Sequence, residues 1–449
     1  MKKALFIFLT LIASVAFGGI KYHPTDLTKV ATDNSAPIIP SYGYAINDAC
    51  MVAGHGVPPG NTNAKPYLYN PATGYFVNIG NLAGDFNGDG YGGNGYSINN
   101  QGFVTGRDSN SSTAWQYRAF LYHDANSNGV VDPCELANLN PEGGSNTGND
   151  INNRNQVVGY NSTTSTGWVW TDLNSNNKND DGEKQYFSGL NPMSINDSGT
   201  ILLSSSGTLF LWSDLNSNGI YEETEKQTMS MPTGGTSMTG NSINNNGDVC
   251  GYFKNSSAKN QGFYWTDSNH NGIVESSEYD VFGAAVRNTY VRAMNNRGEV
   301  VGGTYEWDIY SSLRSAFVWS VNTGIINLNT SADSYTDPTL GIPVIYSQAE
   351  GINNAGVITV TGWFDVNGDG KKGSSDPEHV FVVKPYIPGD LDNSNYINFT
   401  DYNILSALYG STDCTTGNNY CSGKDINNDG SVDLKDIKIL LDDWLLDIR

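Results

Sequence analysis

Seven twelve-residue stretches of this sequence carry oxygen-bearing side chains in one shared register. The clearest places Asp124, Asn126, Asn128, Asp132 and Glu135 at positions 1, 3, 5, 9 and 12, with Gly129 at position 6. The register returns as Asp172, Asn174, Asn176, Asp180 and Glu183, as Asp214, Asn216, Asn218, Glu222 and Glu225, and as Asp267, Asn269, Asn271, Glu275 and Glu278. A fifth copy has Asp365, Asn367, Asp369 and Asp376, with Gly373 at position 9. Two more lie further on: Asp390, Asp392, Ser394, Asn398 and Asp401, then Asp425, Asn427, Asp429, Asp433 and Asp436. Alternate side chains of a tight loop converge on one point, glycine at position 6 permits the bend, and a carboxylate at position 12 closes the shell. Hard cations such as Ca2+ take roughly six to eight oxygen donors, so the spacing predicts about seven calcium sites. An eighth stretch from Asp85 begins the pattern but has Tyr96 at position 12.

The same loops explain the charge. They hold 24 of the chain's 46 acidic residues, in a protein of net charge −22. A surface this acidic repels nucleic acid and anionic membranes, so the expected partners are cations or neutral polymers.

The elements that position these loops are read from a repeat. Asn47, Asn99, Asn152, Asn196, Asn244, Asn295 and Asn353 each follow an Ile or Met, at spacings of 44 to 58 residues. In most copies an Asn-x-Gly turn leads into a strand such as Val300-Val301-Gly302. An aromatic third strand follows, as in Gly167-Trp168-Val169-Trp170, and then a weaker fourth. A period near 50 residues with four strands per unit predicts a seven-unit β-propeller, with an open β-solenoid as the alternative. The last unit lacks a fourth strand, which the segment at Thr25-Asp26-Leu27 could supply to close the ring. Five of the acidic loops are expected between strands three and four, where units one and six have plain turns. Trp170, Trp212, Trp265 and Trp319 hold one place in the repeat and read as core. Residues 1–18, two lysines before an apolar run, read as a signal peptide for export, and no later stretch is apolar enough to span a membrane. The repeat domain then covers 19–384, a linker 385–388, and a small helical calcium module 389–449.

The repeats resemble the HAF-type extracellular repeats. Arg118-Ala119-Phe120 and Ser315-Ala316-Phe317 stand where that family has His-Ala-Phe, and no copy has the histidine. The resemblance gives architecture, not activity. The C-terminal pair of loops looks like a type I dockerin. That likeness implies a small all-α fold around two Ca2+ and a cohesin domain as partner. The family's partner-reading positions, 10 and 11 of each loop, map to Phe399 and Thr400 and to Leu434 and Lys435. This chain departs from the pattern in Asn395, which replaces a glycine, and in a linker carrying Cys414 and Cys421.

Cys414 and Cys421 lie seven apart, and export makes a local disulfide the expected state, while the pairing of Cys50, Cys134 and Cys250 stays open. Asp150, Glu299, Glu306, Asp308 and Glu350 lie outside the loops, but no motif pairs them for glycoside hydrolysis. No triad, metalloprotease or phosphate-loop string occurs. The sequence therefore favours a secreted, non-catalytic calcium-binding repeat protein. The alternatives are a glycoside hydrolase or lyase acting on polysaccharide, and a lectin-like glycan binder.

Overall fold

A computed structural model describes residues 20–80, 82, 92–109, 116–132, 134–140, 143–285, 287–305, 314–392, 397–415, 418–427 and 429–442. The expected signal peptide at 1–18, most of the stretch from Asp85, Glu306, Asp308, Ser394, Asn395 and Trp444 lie outside these residues.

Seven four-stranded antiparallel sheets follow one another along the chain, a seven-bladed β-propeller. Blade 1 consists of Ile39–Ile46, Val52–Val57, Lys65–Asn70 and Tyr75–Asn78, and each later blade repeats this meander. The closed ring replaces the solenoid alternative. In blade 7 the order is Lys21–Asp26, Glu378–Tyr386, Ile358–Phe364, Val344–Ile352, so a strand from the start of the chain completes the last sheet. The expected segment does supply it, but Leu27 opens a helix, Leu27–Asp33, that Asp26 caps through Lys29 N at 2.9 Å. The third strand also runs on to Tyr386, past the expected domain end at Lys384.

The cores lie between blades. One joins Leu68, Val77 and Ile79 of blade 1 to Ile98, Val104 and Phe120 of blade 2. The next joins Phe103 and Leu121 to Ile151, Val157, Trp168 and Trp170. Trp170, Trp212, Trp265 and Trp319 are all buried, as their shared place in the repeat implied. The glycine that ends the second-strand string has a steric cause. The inner strand bulges at Gly95/Ser97 and at Val291/Ala293. There a Cβ on Gly106 would lie 1.9 Å from Asn94 O, and one on Gly302 2.0 Å from Tyr290 O.

The repeated asparagine does more than turn the chain. Asn196 Oδ1 accepts from Ser198 N and Thr200 N, which shapes the turn after the inner strand. Its Nδ2 donates to Asn244 O in the next blade at 3.0 Å. Corresponding bonds run from Asn47 to Asn99 O, Asn99 to Asn152 O, Asn152 to Asn196 O, Asn244 to Asn295 O, Asn295 to Asn353 O and Asn353 to Asn47 O. Seven buried side chains thus form a closed circle of hydrogen bonds.

One expectation is corrected. Four acidic loops, in blades 2 to 5, do link strands three and four, but the Asp365–Asp376 loop links strands two and three of blade 7. The reason is that Glu378–Tyr386, which follows the loop, pairs with the second strand and is the third. In an antiparallel meander this puts that loop on the opposite face of the ring from the other four.

In the C-terminal unit, helices Phe399–Ser406 and Leu434–Asp442 follow the two loops, and Ile397, Leu405, Cys414, Val432 and Leu440 form its core. Cys414 and Cys421 are bridged, while Cys50, Cys134 and Cys250 form no disulfide among the described residues. Leu434 shares the helical spacing of Ile437, Leu440 and Leu441, yet it is 69% exposed.

Replacing Asn196 by Ala removes one buried interblade donor and strands two turn amides, a cost of about 2–4 kcal/mol. Urea unfolding of Asn196→Ala should show that loss, against about 0.5 kcal/mol or less for Asn322→Ala in an exposed turn.

Candidate metal loops and central channel

The loops close on themselves through a constant set of bonds. The position-1 aspartate accepts from the backbone of positions 5 and 6: Asp124 from Asn128 N and Gly129 N, both at 3.1 Å, and Asp214 from Asn218 N and Gly219 N at 3.0 and 2.8 Å. Asp172, Asp267, Asp365 and Asp425 do the same. This needs left-handed backbone at position 6, where Asn177 stands in for glycine at φ 56°. Position 4 is left-handed too, at Ser127, Ser175, Ser217 and His270, which the sequence reading did not foresee.

Across each loop, the position-3 amide meets the position-9 acid. Asn126 donates to Asp132 at 2.6 Å, Asn174 to Asp180 at 2.7 Å, Asn216 to Glu222 at 2.8 Å and Asn269 to Glu275 at 2.7 Å. At position 5, Asn128, Asn176 and Asn218 reach the same acids. The amides of Asn174 and then Asn176 hold the Asp180 carboxyl below the usual carboxylate range. An amide that offers nitrogen to a carboxylate offers oxygen to a cation after a half-turn of the side chain. In blade 7, Asn367 bonds Asp369, and Gly373 supplies only its backbone N–H, to Asp376 at 2.6 Å.

The position-12 carboxylates lie deepest. Glu183, Glu225, Glu278, Asp376, Asp401 and Asp436 are all buried, and Glu135 is half-buried. Glu135 and Glu183 each spread two oxygens over backbone N–H groups at positions 2 and 9. Glu225 and Glu278 differ: one oxygen of each is held by loop amides, and the other is buried without a hydrogen-bond partner. A buried carboxylate oxygen with no donor is costly, so a bound cation is the partner this geometry fits.

The C-terminal loops share the design. Asp401 accepts from Leu391 N at 2.7 Å and Asn398 N at 2.9 Å, and Asp436 from Ile426 N at 2.6 Å and Asp433 N at 2.8 Å. Carboxylate oxygens of Asp390, Asp392 and Asp401 lie within 4.8 Å of one another. Asn427 and Lys435 both bond Asp429. Asn398 also caps its helix through Thr400 N. Phe399, Thr400, Leu434 and Lys435 are exposed at the starts of their helices.

The channel has two unlike mouths. At the face bearing the Asn turns, a second ring lies outside the first: Asp48 N donates to Asn100 Oδ1, and the relay passes through Asn153, Asp197, Asn245, Asn296 and Asn354 back to Asp48. The rings bound a cavity of about 150 Å³. Its two acids are satisfied: Asp48 Oδ2 accepts from Asn100 and Asn354, and Asp197 Oδ2 from Asn153 and Asn245.

On the opposite side the inner strands and the strands beside them carry aromatics and charges, of which the sequence points only to Glu350, as an acid outside the loops. Tyr44 packs against Tyr42, His55 and Tyr96, and Arg107 covers Tyr96 and Tyr117. Arg292 meets buried Glu350 at 3.4 Å. Burial pushes the Glu350 carboxyl up, against the pull of Arg292. Tyrosines recurring two residues apart, as at Tyr42 and Tyr44, were the available signal. Asp150, by contrast, is a structural joint: it accepts from Ser97 in blade 2 and from Ser194 and Ile195 in blade 4. Glu299 is bound by Asn295 and Arg297.

No family model and no curated protein matches the sequence. Solved structures do. Virginiamycin B lyase from Staphylococcus aureus aligns over 82% of this chain and 99% of its own, at 13% identity and a TM-score of 0.44. The β-propeller domain of the trilobed protease from Pyrococcus furiosus aligns over 83% and 96%, at 9% identity and a TM-score of 0.44. A prolyl endopeptidase aligns over 72% and 46%, at 9% identity and a TM-score of 0.42.

Burial lowers His55 to about 4, and its Nδ1 has no hydrogen-bond partner. A base depressed below its unfolded value of about 6.5 contributes stability above that pH, which is lost as pH falls towards 4. The loss is up to about 3 kcal/mol. Urea unfolding in saturating Ca2+ should find the acid limb between pH 6.5 and 4 shallower in His55→Gln than in the wild type. A difference between the two proteins that does not change with pH would show that His55 is not held neutral by burial.

Proposed function

We propose that this chain is an exported, calcium-loaded β-propeller that attaches to a cohesin-like partner through its C-terminal pair of loops and has no catalytic role of its own. The observation that carries this reading is the buried position-12 carboxylate, above all the unpartnered oxygens of Glu225 and Glu278. Calcium would be held by the acids and amides of positions 1, 3, 5, 9 and 12, supplying the positive charge those buried oxygens need. The loops of blades 2 to 5 tie the third strand of each sheet to the fourth, so a filled loop would brace the outer edge of its blade. Binding to the folded state alone stabilises by mass action, about 2.7 kcal/mol at a hundredfold excess over Kd. For the partner, support comes from Phe399 and Leu434, 70% and 69% exposed, at the two positions implied by the dockerin likeness.

A second reading, glycan binding, is favoured by one observation: the tyrosines and Arg292–Glu350 pair of the inner strands offer stacking faces beside a charged pair. In a polysaccharide panel, binding without release of reducing ends would select it, and release of reducing ends would select a hydrolase or lyase.

Excess chelator should unfold the C-terminal module and lower the propeller's melting temperature by several degrees, read by calorimetry of the full chain. An unchanged melt would sink the calcium reading. Truncation at Pro388 should abolish capture by a cohesin domain while leaving the propeller melt intact. Capture that survives the truncation would remove the C-terminal loops from the docking role.

A further inference from the structure

A separate constellation lies where the ring closes. Asp26 ends the strand contributed by the start of the chain. Asp337 lies in the connection between blades 6 and 7. His379 begins the third strand of blade 7. One donor atom from each lies within 4.8 Å of the other two. Both carboxylates are buried, at 4% and 5% exposure, and the His379 side chain is 18% exposed.

The donors are held in place by their surroundings. Asp26 Oδ1 accepts from Lys29 N, which leaves Oδ2 facing His379 Nδ1 at 2.7 Å. Tyr335 lies beside Asp26, close enough for that carboxylate to act on its hydroxyl. Asp337 Oδ1 accepts from Thr339 N and Leu340 N at 2.7 and 2.8 Å, and its other oxygen has no hydrogen bond among the described residues. The imidazole packs against the rings of Phe364 and Phe381, at 5.0 and 6.3 Å. Lys29, the nearest ammonium on the adjoining helix, is paired with Asp33 at 3.1 Å. Two buried carboxylates therefore share one imidazole, and even a protonated His379 leaves one negative charge to backbone donors and to Lys29, which is itself paired with Asp33. Buried charge in that state calls for a cation.

We propose that Asp26, Asp337 and His379 form a divalent metal site of the Zn2+ class that clasps the ring at its closure. The donor chemistry separates it from the acidic loops. Those loops offer oxygen alone, as calcium prefers, whereas an imidazole with two carboxylates suits zinc and its first-row neighbours. Bond lengths of about 2.0–2.2 Å put neighbouring donors roughly 3–3.6 Å apart, inside the observed spread. The ligands come from the first strand, the connection before blade 7 and the last blade itself, so the ion would join the segments whose meeting closes the propeller. Tyr335 and the backbone donors of Lys29, Thr339 and Leu340 would orient the carboxylates from behind.

The test is Zn2+ titration of the full chain in saturating Ca2+, followed by calorimetry and thermal melting. One Zn2+ per chain should bind, unmoved by excess Ca2+, and raise the melting temperature. His379→Asn and Asp337→Asn should weaken binding by about a hundredfold or more. His23→Asn, at an exposed histidine outside the calcium loops and the cluster, should bind as the wild type does. Should the first two variants fail to fold, the visible absorption of Co2+-loaded wild type provides the second reading, since stoichiometric Co2+ in this site must give ligand-field bands. Absence of zinc binding in the presence of Ca2+, unchanged affinity in folded His379→Asn, or a featureless Co2+ spectrum would each overturn the proposal.

Discussion

The hydrogen bond from each repeat asparagine to the next blade's main chain is the constraint on which the ring depends. Its oxygen folds the turn after the inner strand, and its nitrogen reaches the carbonyl of the following asparagine. Seven such links return to their start, from Asn353 to Asn47. Because each asparagine serves its own turn and its neighbour's, blade geometry and ring closure are set by one side chain. A buried amide with all its groups paired is stabilising, whereas a missing partner costs the desolvation of those left behind.

With the inner edge fixed in this way, the outer parts of the blades are free to carry insertions. Four acidic loops occupy the link between strands three and four, and blades 1 and 6 keep short turns there. Six of the loops share one bond pattern despite sequence differences, since the aspartate at position 1 holds the backbone of positions 5 and 6 and a carboxylate stands at position 12. The same carboxylate recurs in the C-terminal unit, where Asp401 and Asp436 each start a helix instead of a strand. One loop chemistry thus serves two kinds of secondary structure.

Much of this was legible in the sequence. The repeat, the four strands per blade, the borrowed strand and the loop positions follow from local spacing and turn chemistry. What local spacing does not carry is the meeting of distant segments. The fifth loop lies in a different link from the other four, because strand pairing makes Glu378–Tyr386 the third strand of its blade. Leu434 fits the helical apolar pattern yet faces outward. The tyrosine and arginine side chains of the inner strands, and the meeting of Asp26, Asp337 and His379, join residues tens to hundreds of positions apart. The asparagine was read as a turn residue, and its identity in all seven units was the sign of a second task.

We propose that calcium is bound along the whole chain and not in the C-terminal loops alone. Equilibrium dialysis of the full chain against radioactive Ca2+ tests it most directly. The account predicts about seven ions per chain, set by the seven loops in the sequence. A count of two, both lost with the C-terminal unit, would contradict it.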